Sequence, residues 1–358
     1  MIYVHVPFCR SFCTYCDFYS EIACRGRDAE AIGKYSDDIC AEIDSRREEI
    51  EKTLGINTLY IGGGTPSVLP LCVLERIVRR IDCGPYEEFT VEVNPEDIVS
   101  GGVHYAEELV RLGVTRVSMG VQSMDDAVLR RMNRRHDAQS VWTAVSVLRR
   151  AGLDNISLDL IFGGLGVDES NLEHTLDDFL DMAPEHISAY QLSVEEGSAL
   201  AEMVLRGDYH ELPDEECRHQ YDLICRRLAD AGYIHYEISN WCKPGFRAKH
   251  NSAYWKRVPY VGFGPGAHSF DGEHRSWNTS MRSGWSPESE TLTSEQAREE
   301  IVMLALRTSE GVDPSLCEHT AVERLLGQGL LELIPHSRNV RIPEQAFFVS
   351  DSLVEMLV

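Results

Sequence analysis

The sequence predicts an α/β protein: an open, partial (β/α)6 barrel followed by a small C-terminal α+β domain of helical, winged character. Over the first two-thirds of the chain, short β-branched or aromatic runs alternate with amphipathic stretches. That alternation is typical of βαβ units around a parallel sheet. Six such strands are few for a closed eight-stranded barrel. From Thr293 onward the pattern is helical, and short strands follow near Leu330–Ile342.

The predicted elements follow from these patterns. The strands are Ile2–Val6, Thr58–Gly62, Phe89–Val93, Arg116–Gln122, Ile156–Phe162 and His186–Leu192. The helices are Tyr35–Lys52, Leu71–Ile81, Tyr105–Leu112, Ala138–Ala151, Leu172–Met182 and Glu215–Ala231. We interpret the aromatic, glycine-rich Tyr233–Phe270 as an extension and Asp271–Glu290 as a polar linking segment. The predicted division of the chain is therefore 1–232, 233–292 and 293–358.

Composition excludes several classes of protein. The 358 residues are 43% hydrophobic and 26% charged, an ordinary globular balance. The net charge of -24 disfavours a phosphate-binding surface, so no nucleic-acid partner is expected. No run of eighteen apolar residues exists, and the first residues lack the pattern of a signal peptide. Eleven cysteines, an odd number without an export signal, favour a reducing compartment, so we expect a cytoplasmic protein.

Three of the cysteines cluster after the first strand, at Cys9, Cys13 and Cys16. A 4Fe–4S cube needs thiolates that converge from one short loop. Spacings of three and two residues let such a loop hold three irons and leave the fourth open to a small molecule. A structural zinc site is the alternative, but zinc takes four closed ligands, and His5, which could be the fourth, lies on the preceding strand. Coincidental spacing is a further alternative.

Polar residues stand at the ends of later strands. Gly63, Gly64 and Thr65 follow the second strand. Glycine lets the backbone approach a ligand and exposes N–H groups, although an isolated glycine run more often marks a tight turn. Glu92 and Asp159 are lone acids in apolar strands, where a buried carboxylate is costly without a partner. An outward-facing position is the alternative for Glu92.

The string from Ile2 to Ser20, with its CxxxCxxC spacing, resembles the radical S-adenosylmethionine (SAM) superfamily. It resembles one branch closely: the oxygen-independent coproporphyrinogen III oxidases and their HemW-type haem-chaperone relatives. The resemblance runs to about Asn278. It implies that SAM chelates the open iron, that one electron cleaves a carbon–sulfur bond, and that methionine and a 5′-deoxyadenosyl radical result. It also implies an electron donor such as flavodoxin or ferredoxin.

The same resemblance implies a set of cofactor-binding residues. By family match the SAM pocket is lined by Tyr3, Gly63, Gly64, Thr65, Glu92, Gln122, Arg134 and Asp159, with Tyr15 beside the cofactor. One segment departs from the family pattern. Relatives often carry Gly-Leu-Pro-Gly-Gln-Thr after the fifth strand, whereas this chain has Gly163–Glu169 without the proline and threonine. The details of the pocket lip there are open.

Two features separate the oxidases from the chaperones. The oxidases have the spacing CxxxCxxCxC and usually extend further upstream of this motif. In this chain Phe18 replaces the fourth cysteine. His250–Trp255 matches the HNxxYW string of the HemW type, whose histidine is implicated in holding haem. Imidazole is a common haem ligand, and aromatic rings pack on flat macrocycles. A histidine beside aromatic residues is otherwise a packed residue, and His268 is a weaker haem candidate.

The resulting hypothesis is a radical SAM haem chaperone. It would bind a 4Fe–4S cluster, SAM, and haem or a porphyrin near His250, and deliver haem to an apo-haemoprotein. The resemblance is also compatible with a transient contact to a membrane protein. The alternatives are an oxygen-independent coproporphyrinogen III oxidase and another SAM-dependent enzyme that modifies haem. Whether the chain is an enzyme is open. If it is one, a coproporphyrinogen dehydrogenase-like oxidoreductase is expected.

Overall fold

The computed structural model describes residues 1–17, 19–22, 28–53, 55–280 and 284–358. Within these ranges the strands are β1 (Ile2–Val6), β2 (Phe8–Cys9), β3 (Glu21–Ile22), β4 (Thr58–Gly63), β5 (Glu88–Val93), β6 (Arg116–Gln122), β7 (Ile156–Phe162), β8 (His186–Gln191), β9 (Ile234–Glu237), β10 (Asn240–Cys242), β11 (Val261–Phe263), β12 (His268–Phe270), β13 (His274–Asn278), β14 (Pro287–Thr291), β15 (Glu332–Leu333) and β16 (Val340–Arg341).

The α-helices of the same ranges alternate with the strands of the first two-thirds and dominate the C-terminal part. They are α1 (Asp28–Ser45), α2 (Arg47–Lys52), α3 (Leu71–Ile81), α4 (Pro95–Arg111), α5 (Asp126–Arg131), α6 (Ala138–Arg150), α7 (Glu169–Met182), α8 (Ala199–Arg206), α9 (Asp214–Asp230), α10 (Lys249–Trp255), α11 (Ser294–Leu306), α12 (His319–Gly327) and α13 (Ser350–Glu355). Short 3-10 helices lie at Pro66–Val68, Pro314–Leu316 and Glu344–Val349.

One large sheet carries the fold, in the order β11-β1-β4-β5-β6-β7-β8-β10-β9. It is parallel from β11 to β8, and β10 runs antiparallel to both β8 and β9. In the described residues its two edge strands, β11 and β9, do not pair with each other, so the barrel is open. The predicted partial barrel is confirmed, and each of the six predicted strands agrees with β1 or β4–β8 to within one residue at either end.

The strands form because their sequences suit a sheet buried on its helix-covered face. Ile61, Val91, Val117 and Leu158 are almost wholly buried on four neighbouring strands. β-Branched and aliphatic side chains in such runs are typical of parallel sheets flanked by helices. These residues form one continuous apolar core between the sheet and its helices.

The largest differences from the predicted helices are at Tyr35–Lys52, which begins earlier, at Asp28, and at Tyr105–Leu112. The predicted helix Tyr35–Lys52 is interrupted at Arg46, and α1 and α2 lie on either side of it. Helix α4 begins ten residues before the predicted start, at Pro95, because proline is favoured in the first turn. Gly102 within it has a non-helical conformation with φ of 62°. Glycine has a poor helix propensity, so the sequence pattern did not predict the first half of α4.

The interpretation of Asp271–Glu290 as a linking segment is wrong. It contains β13 and most of β14, which pair with β12 in a three-stranded antiparallel sheet. These strands are polar because they lie on the surface, and cross-strand contacts stabilise them: the Trp277 indole N–H donates to the Glu288 carboxylate at 3.0 Å. Alternation of apolar and polar residues is absent, so the pattern gave no strand signal.

The glycine-rich stretch before this sheet contributes β9, β10 and β11 to the main sheet. The C-terminal part packs around Val302, Leu306, Leu325, Ile342 and Leu357. The division into 1–232, 233–292 and 293–358 stays a prediction. No helix of the described chain is long and apolar enough to cross a membrane.

We expect Leu158→Ala to lower the free energy of unfolding by roughly 2–5 kcal/mol, because it opens a cavity at a fully buried position of β7. Urea unfolding of the cofactor-free chain would measure the change. Leu205, 87% exposed on α8, is the matched control, and Leu205→Ala should stay within about 0.5 kcal/mol of the natural chain. Equal effects at the two leucines would contradict this assignment of the core.

Candidate functional site

A cavity of about 520 Å³ lies at the carboxyl ends of the barrel strands. Its lining includes the three clustered cysteines and most of the residues predicted for the SAM pocket. These are Cys9, Cys13, Cys16, Tyr15, Gly63, Gly64, Thr65, Glu92, Gln122, Arg134 and Asp159. Two of the predicted cofactor-binding residues, Tyr3 and His250, are not among the described lining residues.

The cysteine loop is held in place from two sides. Its ends are joined by the parallel pairing of β2 with β3. Its middle is tied to the segment after α5: the Thr14 N–H donates to the Met132 carbonyl at 3.1 Å, and the Asn133 amide donates to the Phe12 carbonyl at 2.6 Å. The three cysteines are half-buried. The loop is therefore positioned over the cavity by backbone contacts that do not involve the thiols.

Two hydrogen-bond donors point at the sulfur atoms. The Thr65 hydroxyl lies 3.5 Å from Cys9 Sγ, and Arg134 Nη1 lies 3.4 Å from Cys13 Sγ. Arg134 also donates to Asn94 Oδ1 at 2.6 Å and to the Gly120 carbonyl. Burial raises the pKa of Cys9, and the Thr65 hydrogen bond and the Arg134 charge oppose that increase. Such contacts favour the thiolate, which is the form that binds iron.

The cavity also contains buried polar atoms without a partner in the described structure. They include Gln122 Oε1 and Arg134 Nε. Buried polar atoms in native proteins nearly always have a hydrogen-bond partner, so these two indicate a polar ligand or water. Gln122 has a φ of 72°, in the left-handed region, beside a register irregularity between β6 and β7. Three converging thiols and unsatisfied polar groups fit a 4Fe–4S cluster with a polar molecule beside it.

Glu92 faces the cavity, so the outward-facing alternative is wrong. Its Oε1 accepts from the Tyr60 hydroxyl at 2.7 Å, and its Oε2 accepts from the Gly63 N–H at 3.0 Å. Burial raises the pKa of Glu92 to about 7, although these two hydrogen bonds oppose the increase. A carboxyl group that changes charge near neutral pH therefore lies in the cavity wall.

The glycine segment has a different role from the one expected of free N–H groups. The N–H groups of Gly63, Gly64 and Thr65 are all used inside the protein, by Glu92, the Val6 carbonyl and the Phe8 carbonyl. A Cβ on Gly63, whose φ is +106°, would lie 2.5 Å from the His5 ring. A Cβ on Gly64 would lie 2.8 Å from the Phe8 carbonyl oxygen. Glycine is required here by the close packing of β4 against the cysteine loop.

Asp159 lies on the neighbouring wall, where its carboxylate accepts hydrogen bonds from Ser118 and Ser157. Burial raises the pKa of Asp159 as well. Sequence reasoning missed several lining residues, among them Ser118, Ser188 and Asn94. Ser118 and Ser188 lie two residues before Gly120 and Tyr190, which also line the cavity. Because alternate residues of a strand share a face, this spacing could have predicted the two serines.

Tyr3 lies outside the cavity lining. Its hydroxyl is 3.0 Å from His5 Nδ1, and His5 Nε2 is 2.9 Å from the Tyr19 carbonyl. Both ring nitrogens of His5 are therefore engaged by protein groups. This arrangement argues against His5 as the fourth ligand of a zinc site.

His250 is almost fully buried, with 1% of its surface exposed. Its Nδ1 is 2.8 Å from the Thr58 hydroxyl, and its Nε2 is 2.9 Å from the Tyr254 hydroxyl. The Glu88 carboxylate accepts from the N–H groups of Lys249 and His250 at the start of α10. Burial lowers the pKa of His250 to about 3, so the ring is neutral. In this conformation both ring nitrogens have partners, and the neighbouring Asn251 lines the cavity.

Comparison with known proteins places this architecture in a family. The family model of the radical SAM superfamily matches residues 3–179. The chain is 32% identical to "Heme chaperone HemW" of Mycobacterium tuberculosis over 379 aligned positions, which cover 100% of this chain and 94% of that protein. It is 33% identical to the Lactococcus lactis protein of the same name, covering 93% of this chain and 88% of that protein.

The chain belongs to the HemW family of radical SAM proteins.

The HemW fold extends to a solved structure of more distant sequence. Coproporphyrinogen III oxidase (HemN) from Escherichia coli, described as a radical SAM enzyme, superposes with a TM-score of 0.80 at 18% identity. The match covers 99% of this chain and 89% of that one, which shows a common fold. The predicted resemblance is confirmed. Phe18, which replaces the fourth cysteine of the oxidases, lies outside the described residues.

We expect Glu92 to make the stability of this HemW protein pH-dependent. Because burial raises the pKa from 4.5 to about 7, the folded state binds this proton more tightly than the unfolded chain. Its stabilising contribution is therefore fully present below about pH 4.5 and is lost as the pH rises through about 7. The stability of the natural chain relative to Glu92→Gln should fall by on the order of 2 kcal/mol over this range.

Urea unfolding of the cofactor-free chains at several pH values would measure this difference. Glu107→Gln, at an exposed position of α4, is the control for removal of a carboxylate. A stability difference between the natural chain and Glu92→Gln that does not change with pH would contradict the assignment.

Proposed function

We propose that the chain holds a 4Fe–4S cluster and SAM in the barrel cavity, binds haem, and delivers haem to an apo-haemoprotein. The observation that carries this proposal is the kinship over essentially the whole chain with proteins named haem chaperone HemW. The three converging thiols and the unsatisfied polar groups of the cavity support the two resident cofactors.

Cys9, Cys13 and Cys16 would ligate the cluster, and SAM would occupy its open iron. With both bound, the site would supply one-electron reductive cleavage of a carbon–sulfur bond of SAM. The contributions of the protein itself are positional and electrostatic. Thr65 and Arg134 stabilise thiolates, Gln122 Oε1 offers an acceptor, and the carboxyl groups of Glu92 and Asp159 face the cavity. Carboxylates in a cavity of low dielectric constant attract a cationic sulfonium cofactor.

Haem ligation by His250 requires a local rearrangement. A neutral imidazole is the form that binds iron, and burial keeps this ring neutral. Its Nε2 would become available if the contact with the Tyr254 hydroxyl were broken. His268 is the alternative ligand, because it is exposed on β12 and stacks on Trp277. The apo-haemoprotein, the electron donor and a location in the cytoplasm stay predictions from the sequence.

Cys13→Ala should prevent assembly of an intact cluster, because one of only three thiolates is removed. Anaerobic reconstitution followed by iron and sulfide analysis would measure the loss. Cys72→Ala, at an exposed position outside the cavity, is the matched control and should reconstitute like the natural chain. Four irons and four sulfides in Cys13→Ala would overturn the ligand assignment.

Haem titration of the reconstituted protein and of histidine and tyrosine variants tests the haem site. His250→Ala should weaken haem binding by about tenfold or more if its ring is the iron ligand. Tyr254→Phe should strengthen binding by about fivefold, because it removes a hydrogen bond that competes for Nε2. His104→Ala, at an exposed position, is the control and should change nothing.

The same experiment separates the proposed function from its alternatives. Loss of haem binding in His268→Ala, with haem binding of His250→Ala unchanged, would identify His268 on β12 as the iron ligand. The reconstituted protein should not decarboxylate coproporphyrinogen III in the presence of SAM and reductant. Turnover to protoporphyrinogen would replace the chaperone with the oxidase, and SAM-dependent alteration of bound haem would indicate a haem-modifying enzyme.

A further inference from the structure

Three side chains with metal-binding atoms lie together where the C-terminal part of the chain meets the barrel. Cys225 is on α9, His235 is on β9, and Glu344 begins the 3-10 helix Glu344–Val349. One ligand atom from each lies within 4.8 Å of the ligand atoms of the other two. None of the three is among the described residues that line the cofactor cavity.

The imidazole of His235 is held firmly in this cluster. It stacks on the Trp241 indole with a centroid separation of 4.0 Å and an interplanar angle of 15°. The edge of the Phe347 ring covers it at 5.1 Å. Only 5% of the His235 side chain is exposed, whereas 41% of the Glu344 side chain is exposed. The ring is therefore rigid, and the carboxylate beside it can be reached from solvent.

The hydrogen bonds around His235 indicate its tautomer. The Tyr221 hydroxyl donates its single proton to the Ile238 carbonyl at 2.8 Å. Towards His235 Nε2, at 3.4 Å, the same oxygen can then only accept, so Nε2 carries a proton. A neutral ring would consequently direct the Nδ1 lone pair at Glu344 Oε1, which lies only 2.8 Å away.

Two facing lone pairs at that distance need a cation between or beside them. A second proton on the ring would give a simple ion pair between His235 and Glu344. That explanation leaves the thiol of Cys225 out of the pair, with a hydrogen bond to the Tyr221 side chain. A metal ion would use all three groups, since zinc binds Cys sulfur, His nitrogen and Glu oxygen at distances of roughly 2.0–2.3 Å. Ligand atoms within 4.8 Å of one another need only small side-chain movements to reach that geometry.

We propose that Cys225, His235 and Glu344 form a second metal site, for Zn²⁺ or a similar divalent ion of intermediate softness. Zinc coordinated by three protein ligands and a water is a common arrangement. The contact of His235 Nε2 with the Tyr221 hydroxyl would orient the ring, as metal-binding histidines typically require. The three ligands come from α9, β9 and the C-terminal 3-10 helix, so the ion would tie the C-terminal part to the edge of the barrel. This inference is independent of the proposed haem function.

The test uses the full-length protein with its cluster assembled, because empty cluster cysteines would themselves bind zinc. The protein is incubated with zinc sulfate and dialysed against a competing chelator, and zinc per chain is measured by elemental analysis. We expect about one zinc per chain in the natural protein and in Cys317→Ser, which alters another half-buried cysteine of the described chain. Cys225→Ser and Glu344→Gln should bind zinc about tenfold more weakly or worse, with unchanged iron content.

A second readout guards against misfolding of one variant. Zinc should raise the unfolding midpoint of the natural protein and should have no such effect on Glu344→Gln, a substitution at a side chain that is 41% exposed. Absence of zinc from the natural protein would overturn the proposal and leave a simple ion pair. Equal zinc retention in the natural protein and in both ligand variants would also overturn it. Zinc X-ray absorption should show one sulfur ligand, and a spectrum without sulfur would exclude Cys225.

Discussion

The polar inner face of the barrel is the constraint on which the rest of this structure depends. Alternate residues of β4–β8 point inward, and many of them carry hydroxyl, carboxyl or amide groups. Such groups are costly in an interior unless each finds a partner. Tyr60 therefore contacts Glu92, Ser118 contacts Asp159, and the buried Arg116 and His186 approach each other at 3.4 Å. Where the strands end, the unsatisfied Gln122 Oε1 and Arg134 Nε belong to the cavity that the cysteine loop also lines, and the site lies there.

The strands and the cysteine cluster could be predicted because their signals are local. A mostly apolar run such as Ile156–Phe162 predicts a buried strand. Three cysteines within eight residues share one loop, whatever the fold around them. Polar surface strands such as β13 and β14 carry no such signal, since cross-strand partners stabilise them. The cluster of Cys225, His235 and Glu344 could not be predicted from the sequence for another reason. His235 and Glu344 are 109 residues apart, and only the folded chain brings them together.

The HNxxYW string shows how far a motif can be transferred. Its histidine contacts Thr58 and Tyr254, and its backbone contacts Glu88, so each of these groups has a structural partner in this conformation. The sequence identified the segment but could not reveal that it packs against β4. Gly63 and Gly64 are a second example, because a Cβ at these positions would clash with His5 and Phe8 whether or not a ligand is bound. A motif can therefore serve architecture and function with the same residues.

The left-handed backbone at Gln122 affects the conformational entropy that binding in the cavity would cost. A non-glycine residue in this region is strained, and the fold maintains the strain through the irregular pairing of β6 with β7. The residue lies in the cavity lining, and its Oε1 has no hydrogen-bond partner in the described structure. Because folding already fixes this backbone position, a polar molecule that contacted the amide would lose less conformational entropy than it would on contacting a mobile loop.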